Sequence, residues 1–263
     1  FPYRVYGCQQ DNSSISVSSA GRGSGHTPSD WLTWGGESGH VAVDPRDGTI
    51  YSGNYTGELY RFDVQRDHVR TVTHYPQLHD GLPMHQVKYR YQWNAPITIS
   101  THNPDVLYHA SQYVHKTVNG GQSWEVISPD LTLNRKDLQE LPGGPVQIDY
   151  TGVENFNTVF VLEESPLVQG ELWAGTDDGL VHITTDGGKN WKKITPPGLP
   201  ELATVNSIDI SRHHKGTAYV TAHNYRLDDF KPYVFRTDNY GATWTSLTSG
   251  IPADWFVRVV RED

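Results

Sequence analysis

The stretch TVNGGQSW, residues 117–124, places Thr117, Asn119, Gly121 and Trp124 at offsets of 0, 2, 4 and 7. Alone, it is a polar turn ending in an aromatic. The chain repeats the spacing in TTDGGKNW, with Thr184, Asp186, Gly188 and Trp191, and again in TDNYGATW, with Thr237, Asn239, Gly241 and Trp244. Each octet follows a β-like run (YVHK, LVHI, YVFR) and precedes another (EVIS, KKIT, TSLT). Each therefore reads as a hairpin turn between two strands. The Asp/Asn side chain accepts hydrogen bonds from amides further along, the Thr hydroxyl closes the other side, and Gly supplies a positive φ. The Trp ring then packs over the turn. Metal binding or acid–base chemistry is the competing reading of the Asp/Asn positions; a self-satisfied turn is the simpler one.

The unit around each octet repeats too. Four strand-like segments recur over residues 157–195, 204–247 and 94–127, and over 40–74 without the octet. A period of about 40–50 residues with four strands per unit is the signature of propeller blades. The predicted fold is all-β: a β-propeller of four-stranded antiparallel blades, with about four full blades and partial blades at both ends. YRVYGCQ and WLTWG supply the partial blade at the start, and residues 255–261 supply an innermost strand at the end. The chain opens FPYRVYG and closes WFVRVVRED, both strand-like. Residues 1–263 are thus expected to form a single propeller within a longer, multi-propeller protein.

Composition agrees with strands and excludes several functions. The 263 residues include 15 Tyr, 8 Trp, 25 Gly and 16 Pro but one Met, which suits strands and turns rather than a helical bundle. A formal charge of −9 without any Lys/Arg run argues against nucleic acid. No stretch approaches the roughly 18 apolar residues of a membrane span. Cys8 is the sole cysteine, so an internal disulfide is impossible and no CxxC motif exists. Neither HExxH nor a spaced His/Cys cluster occurs among the 13 His, so no metal site is expected; Ca²⁺ held by carbonyls and Asp remains open, although no EF-hand loop is present. Asn12-Ser13-Ser14 and Asn54-Tyr55-Thr56 fit the short N-glycosylation pattern.

The octets, with VYGCQQDNSS, YRYQWNAPITIS, SWEVISPDLT, GTDDGLVHITTDGGKNW and YRLDDFKPYVFRTDNYGATW, resemble the Asp-box (BNR-repeat) β-propellers. That superfamily includes sialidases, xyloglucan hydrolases, sortilin-type receptor domains and photosystem assembly factors. The chain is most similar to large bacterial sortilin-like proteins that are often labelled glycosyl hydrolases. The resemblance implies structural Asp boxes, export to the extracellular or periplasmic space, and further propeller sequence on both sides. The Arg-Ile-Pro that accompanies the sialidase arginine triad is absent, and the paired Asp residues of the xyloglucan hydrolases find no counterpart.

In a propeller the octets mark one face. Loops from strand two to three, and links from strand four to the next blade, share the other, where sites are usually grafted. The loops on that face are GNYTG (53–57), ASQY (110–113), GTDDG (175–179) and AHNYRLDDFKP (222–232), with a 27-residue insertion over 128–154. They offer Asp177, Asp178 and Glu154 as catalytic candidates, and Tyr55, Tyr113, His223, Tyr225, Arg226, Asp228 and Asp229 as ligand-binding candidates. Aromatic faces with carboxylates suit sugars, and two carboxylates at suitable separation suit glycoside cleavage. Against this, Asp-Asp-Gly is a good turn in itself, and Arg226 with Asp228 and Asp229 fits a surface ion-pair network. Trp93 is expected in the core or lining the channel. Two functions follow: an exported, sortilin-like Asp-box propeller that binds protein or glycan or serves assembly, its partners being other propeller segments or a protein; or a glycoside hydrolase of xyloglucanase or sialidase type with its site on the loop face.

Overall fold

The computed structural model describes residues 3–21, 23, 25–148 and 151–263. Residues 1 and 2 of the opening strand-like segment, and 149 and 150 of the long insertion, lie outside these. The described residues contain strands and short 3-10 turns but no α-helix.

Sheet one is β1 (Arg4–Gln9), β2 (Ser13–Ser18) and β3 (Trp31–Trp34), in that order. Sheet two holds β4 (Val41–Val43), β5 (Ile50–Gly53), β6 (Leu59–Asp63) and β7 (His68–Thr71). Sheet three holds β8 (Ile97–Ile99), β9 (Leu107–Ala110), β10 (Val114–Thr117) and β11 (Glu125–Val126). Sheet four holds β12 (Val159–Glu164), β13 (Leu172–Thr176), β14 (Val181–Thr184) and β15 (Lys192–Lys193). Sheet five holds β16 (Thr204–Ile210), β17 (Ala218–Asn224), β18 (Asp229–Thr237) and β19 (Thr245–Ser246). All pairings are antiparallel between consecutive strands. First strands touch first strands, β4 to β8, β8 to β12 and β12 to β16, so the sheets stand side by side around their first strands. The strand β2 was not foreseen: SSISVS lacks the aromatic and branched density of its neighbours, and its small buried serines are fixed by pairing on both sides.

The core is a series of layers between successive sheets. Ala42, Tyr51 and Val72 of the second unit meet Ile97, Leu107 and Trp124 of the third. Val106, Tyr108 and Val114 meet Val159, Leu172 and Trp191, and Trp173, Ile183 and Ile194 meet Val205, Val220 and Trp244. Strands buried on both faces explain near-continuous apolar runs such as LWAGT, which is buried at every position.

The three octets fold alike. The Thr hydroxyl donates to Asn119, Asp186 or Asn239 at 2.9, 2.8 and 3.0 Å and accepts from the amide of Gly121, Gly188 or Gly241 at 3.1, 3.0 and 3.0 Å. The Asx oxygen also accepts from the amides of Ser123, Asn190 and Thr243. Asp186 is pushed down to about 2, chiefly by the Asn190 side-chain hydrogen bond. Each Trp indole reaches back to the previous unit: Trp124 to the Val72 carbonyl at 2.9 Å, Trp191 to Ile127 at 2.8 Å and Trp244 to Ile194 at 2.8 Å. The octet is thus both a turn and a rung between sheets.

Candidate functional site

Two long links, 72–96 and 127–158, are joined to each other and to the loops at Gln112 and Asp177–Asp178 by polar contacts. Buried Arg90 is the hub. Its Nε donates to the Asn157 carbonyl at 3.0 Å, and Nη2 donates to Asp130 at 2.9 Å and to Thr132 at 3.2 Å. Its backbone amide donates to the side chain of Gln112, which donates in turn to the Lys88 carbonyl. A buried guanidinium is tolerable only with this completeness of pairing.

Asp177 and Asp178 belong to the same structure. Asp178 is fully buried; it accepts from Asn157 Nδ2 at 2.5 Å, from the Leu133 amide at 2.8 Å and from Thr176 Oγ1 at 2.5 Å. Asp177, 4% exposed, accepts from the amide and the hydroxyl of Thr158, both at 2.8 Å. Burial raises both carboxyls above the ordinary range, and for Asp177 the neighbouring Asp178 adds to the shift. The pair latches the second link onto sheet four.

Glu154 sits elsewhere, 3.6 Å from Arg226 Nη2, both side chains about a quarter exposed at 25% and 28%. Beside them, the Tyr225 ring stacks on Phe256 at 4.8 Å and lies 4.6 Å from His223. Phe230 lies 6.5 Å from Phe256, and the Arg226 guanidinium stands 5.9 Å from the Tyr225 ring. His223 is buried, and that burial lowers it to about 4, so it is a neutral ring at pH 7. Asp228 has φ 59° and ends the 3-10 turn Tyr225–Leu227. Asp229 accepts from the Tyr233 hydroxyl at 2.5 Å. The structure therefore gathers Glu154, His223 and half-buried Tyr225 and Arg226 beside the exposed rings of Phe230 and Phe256.

Tyr55 and Tyr113 pack against other partners. The Tyr55 hydroxyl donates to Glu37, and its ring meets half-buried Trp93 edge-on at 5.4 Å. Tyr113 meets Tyr89 edge-on at 6.0 Å, against a small cluster with Tyr91 and Ala95. Trp93 is held in a loop-face contact.

A second polar site opens at the far ends of the first strands. A cavity of about 530 Å³ is lined by Thr101, Glu163, Asp209, Arg212 and Arg261 among others. Burial pushes Glu163 up to about 7, opposed by Arg261 and reinforced by Asp209. Asp209 accepts from the Glu262 amide at 2.7 Å and faces Arg261 at 3.9 Å.

Sequence reasoning missed Arg90, Gln112, Asp130 and Asn157, and also Phe230, Phe256 and Glu163. Length was the available signal for the hub, since link 72–96 is nearly as long as the insertion over 128–154. Phe256 lay inside WFVRVV, which reads as strand. Among the described residues, no group of three or more His, Cys, Asp or Glu could hold a metal ion, and no helix is long and apolar enough to cross a membrane.

No known protein-family profile matches the sequence, and no curated protein matches it. Solved structures do. The chain is similar to an ancestral GH74 enzyme (16% identity, TM-score 0.63, covering 96% of this chain and 31% of that one). It is also similar to the GH74 xyloglucanase from Xanthomonas campestris (14%, 0.57, covering 90% and 34%). A third likeness is to the extracellular domain of a protein assigned as a one component system in B. thetaiotaomicron (14%, 0.55, covering 94% and 27%). The chain spans about a third of the length of these structures. At such identities the likeness speaks to fold alone, and with the side-by-side sheets it makes the fold propeller-like.

Proposed function

We propose that the chain is an exported, sortilin-like Asp-box propeller segment that serves as a protein- or glycan-binding and assembly module, with its ligand face at the β17–β18 loop. One contrast supports this reading. The carboxylates that the sequence offers for catalysis, Asp177 and Asp178, are spent on buried structural hydrogen bonds, whereas half-buried Tyr225 and Arg226 pack beside exposed Phe230 and Phe256 in an aromatic and cationic patch. Stacked rings flanked by an ion pair suit the apolar faces and hydroxyls of a sugar, or a peptide segment. Xyloglucan oligosaccharides are the first probe, because one solved structure of similar fold is a xyloglucanase. Calorimetric titration with these, beside a glycan array, tests the reading. Tyr225→Ala and Arg226→Ala should each weaken a measured affinity about ten-fold or more. Binding indifferent to both changes would remove this surface from consideration.

The alternative is a glycoside hydrolase with its site on the same face. Its support is Glu154, the one catalytic candidate that reaches the aromatic group. Reducing-end release from xyloglucan, abolished by Glu154→Gln while binding persists, would establish it over the binding module.

A further inference from the structure

Sheet two leaves open what its neighbours close. In sheets three and four, the loop between the second and third strands spends its side chains on the links. Gln112 bonds the Arg90 amide and the Lys88 carbonyl, and Asp177 and Asp178 accept from the Thr158 and Leu133 amides. The corresponding loop of sheet two, residues 53–57, instead borders a cavity of about 480 Å³. Thr56 and Glu58 line it from the loop, Thr71 and Thr73 from the end of β7 and just beyond it, and Pro76, Gln77 and Leu78 from the start of link 72–96.

Thr56 carries a cost that packing does not explain. Its backbone lies at φ 57° and ψ 22°, where a β-branched side chain is strained and Gly or Asn would sit easily. What Thr adds there is a hydroxyl, and that hydroxyl makes no hydrogen bond among the described residues. The other polar groups are held in place with capacity to spare. Glu58 Oε2 accepts from the Tyr60 hydroxyl at 2.6 Å and from Asn54 Nδ2 at 3.2 Å, while its Oε1 takes no bond among the described residues. Gln77 Nε2 donates to the Tyr89 carbonyl at 2.6 Å, which leaves its Oε1 to accept. Thr73 Oγ1 accepts from the Leu59 amide at 2.9 Å and keeps its own proton to give. Leu78 is 84% exposed beside these groups.

We infer that this cavity is a separate ligand site that takes one neutral pyranose ring of a glycan. Glu58 Oε1 and Gln77 Oε1 only accept, so the ligand must donate, and ring hydroxyls do so. The threonine hydroxyls both give and take. Pro76, Leu78 and the threonine methyl groups meet the C–H faces of the ring, the mix of apolar wall and few fixed polar groups that small-ligand sites use. No Lys, Arg or His lines the cavity, and the Glu58 carboxylate opposes an acidic sugar. The site shares no residue with the Tyr225 surface and stands whether or not that surface binds a ligand.

Titration of the chain with methyl β-xyloside, methyl β-glucoside and methyl β-galactoside, followed through its backbone amide NMR signals, tests this. Methyl β-glucuronide is the anionic comparison. At least one neutral glycoside should shift the amides of 56–58 and 71–78 saturably, and the glucuronide should bind about five-fold more weakly or worse. Thr56→Gly removes the hydroxyl and relieves the backbone, so it should melt close to the parent while the affinity falls about five-fold. A merely structural Thr56 would not separate the two readouts. Thr71→Val keeps the side-chain shape on an exposed strand and should weaken binding by a similar factor; it decides alone if Thr56→Gly melts lower. Affinity unchanged in both variants, a glucuronide bound as tightly as the neutral glycosides, or no saturable shift at 56–58 and 71–78 would each overturn the inference.

Discussion

Gly188 shows how one residue answers two demands. Its φ of 96° is costly for any residue with a Cβ, and that Cβ would also meet Ile127. Gly188→Ala should therefore lower unfolding stability by about 2–4 kcal/mol in denaturant titrations, whereas Gly187→Ala, at φ 74° but with open space around it, should cost less. Glu163 makes a residue-scale prediction of opposite character. Its folded value of about 7 lies above the ordinary 4.5. Between those values the folded state holds more protons than the unfolded one, so this group's contribution falls as pH rises from 4.5 to 7. Glu163→Gln should be more stable than the parent at pH 8, by on the order of 2 kcal/mol, and equal to it below pH 4.5. Melting temperatures that track each other across that range would refute the assignment.

At the scale of elements, the links over the loop face carry as much structure as the strands. Arg90 on one link bonds Asp130, Thr132 and Asn157 on the other. Removing the guanidinium leaves a largely buried carboxylate and a buried carbonyl without it, so Arg90→Ala should cost about 3–5 kcal/mol. Arg90→Lys should rescue little of this, because an ammonium cannot reach three partners in one plane. Chemical unfolding of both variants measures it. The contrast with the octets explains what could be read in advance. An octet satisfies its polar groups within a few residues, so spacing alone showed Thr117, Asn119, Gly121 and Trp124 to be a turn. The rung from Trp124 to Val72 and the bond from Arg90 to Asn157 join positions far apart in the chain, and no local pattern marks them. Asp177 and Asp178 lie between these cases: the Asp-Asp-Gly turn was legible, but the Asn157 and Thr158 donors were not. The aromatic group at Tyr225 was half legible, since Phe256 reaches it from a segment that reads as strand.

At the scale of the whole molecule, four histidines in different parts of the fold share one condition. His79 on the first link, His109 in sheet three, His182 in sheet four and His223 in sheet five are each lowered to about 4, burial being the largest cause in every case. His109 keeps a hydrogen bond to the Pro96 carbonyl at 2.9 Å, and His79 bonds the Asn155 side-chain amide at the same distance, yet neither compensates for a buried cation. The ordinary histidine value is 6.5, so between pH 6.5 and 4 the unfolded chain binds more protons than the folded one. Stability therefore falls with acidification through that window. A histidine shifted that far contributes on the order of 3 kcal/mol to the fall, a large share of the roughly 5–15 kcal/mol that holds a typical domain. His115, lowered by burial as well, adds to the fall, whereas Glu163, Glu171, Asp177 and Asp178, all raised by burial, act in the opposite sense. Because the cores are layers between adjacent sheets, protonation beside one layer is expected to weaken its hold on the next. Tryptophan fluorescence followed against pH should show cooperative loss of the fold above pH 4, and His109→Gln, which removes one protonation site, should move that midpoint down. A chain that keeps its native emission at pH 3 would show that these rings gain protons without the layers parting.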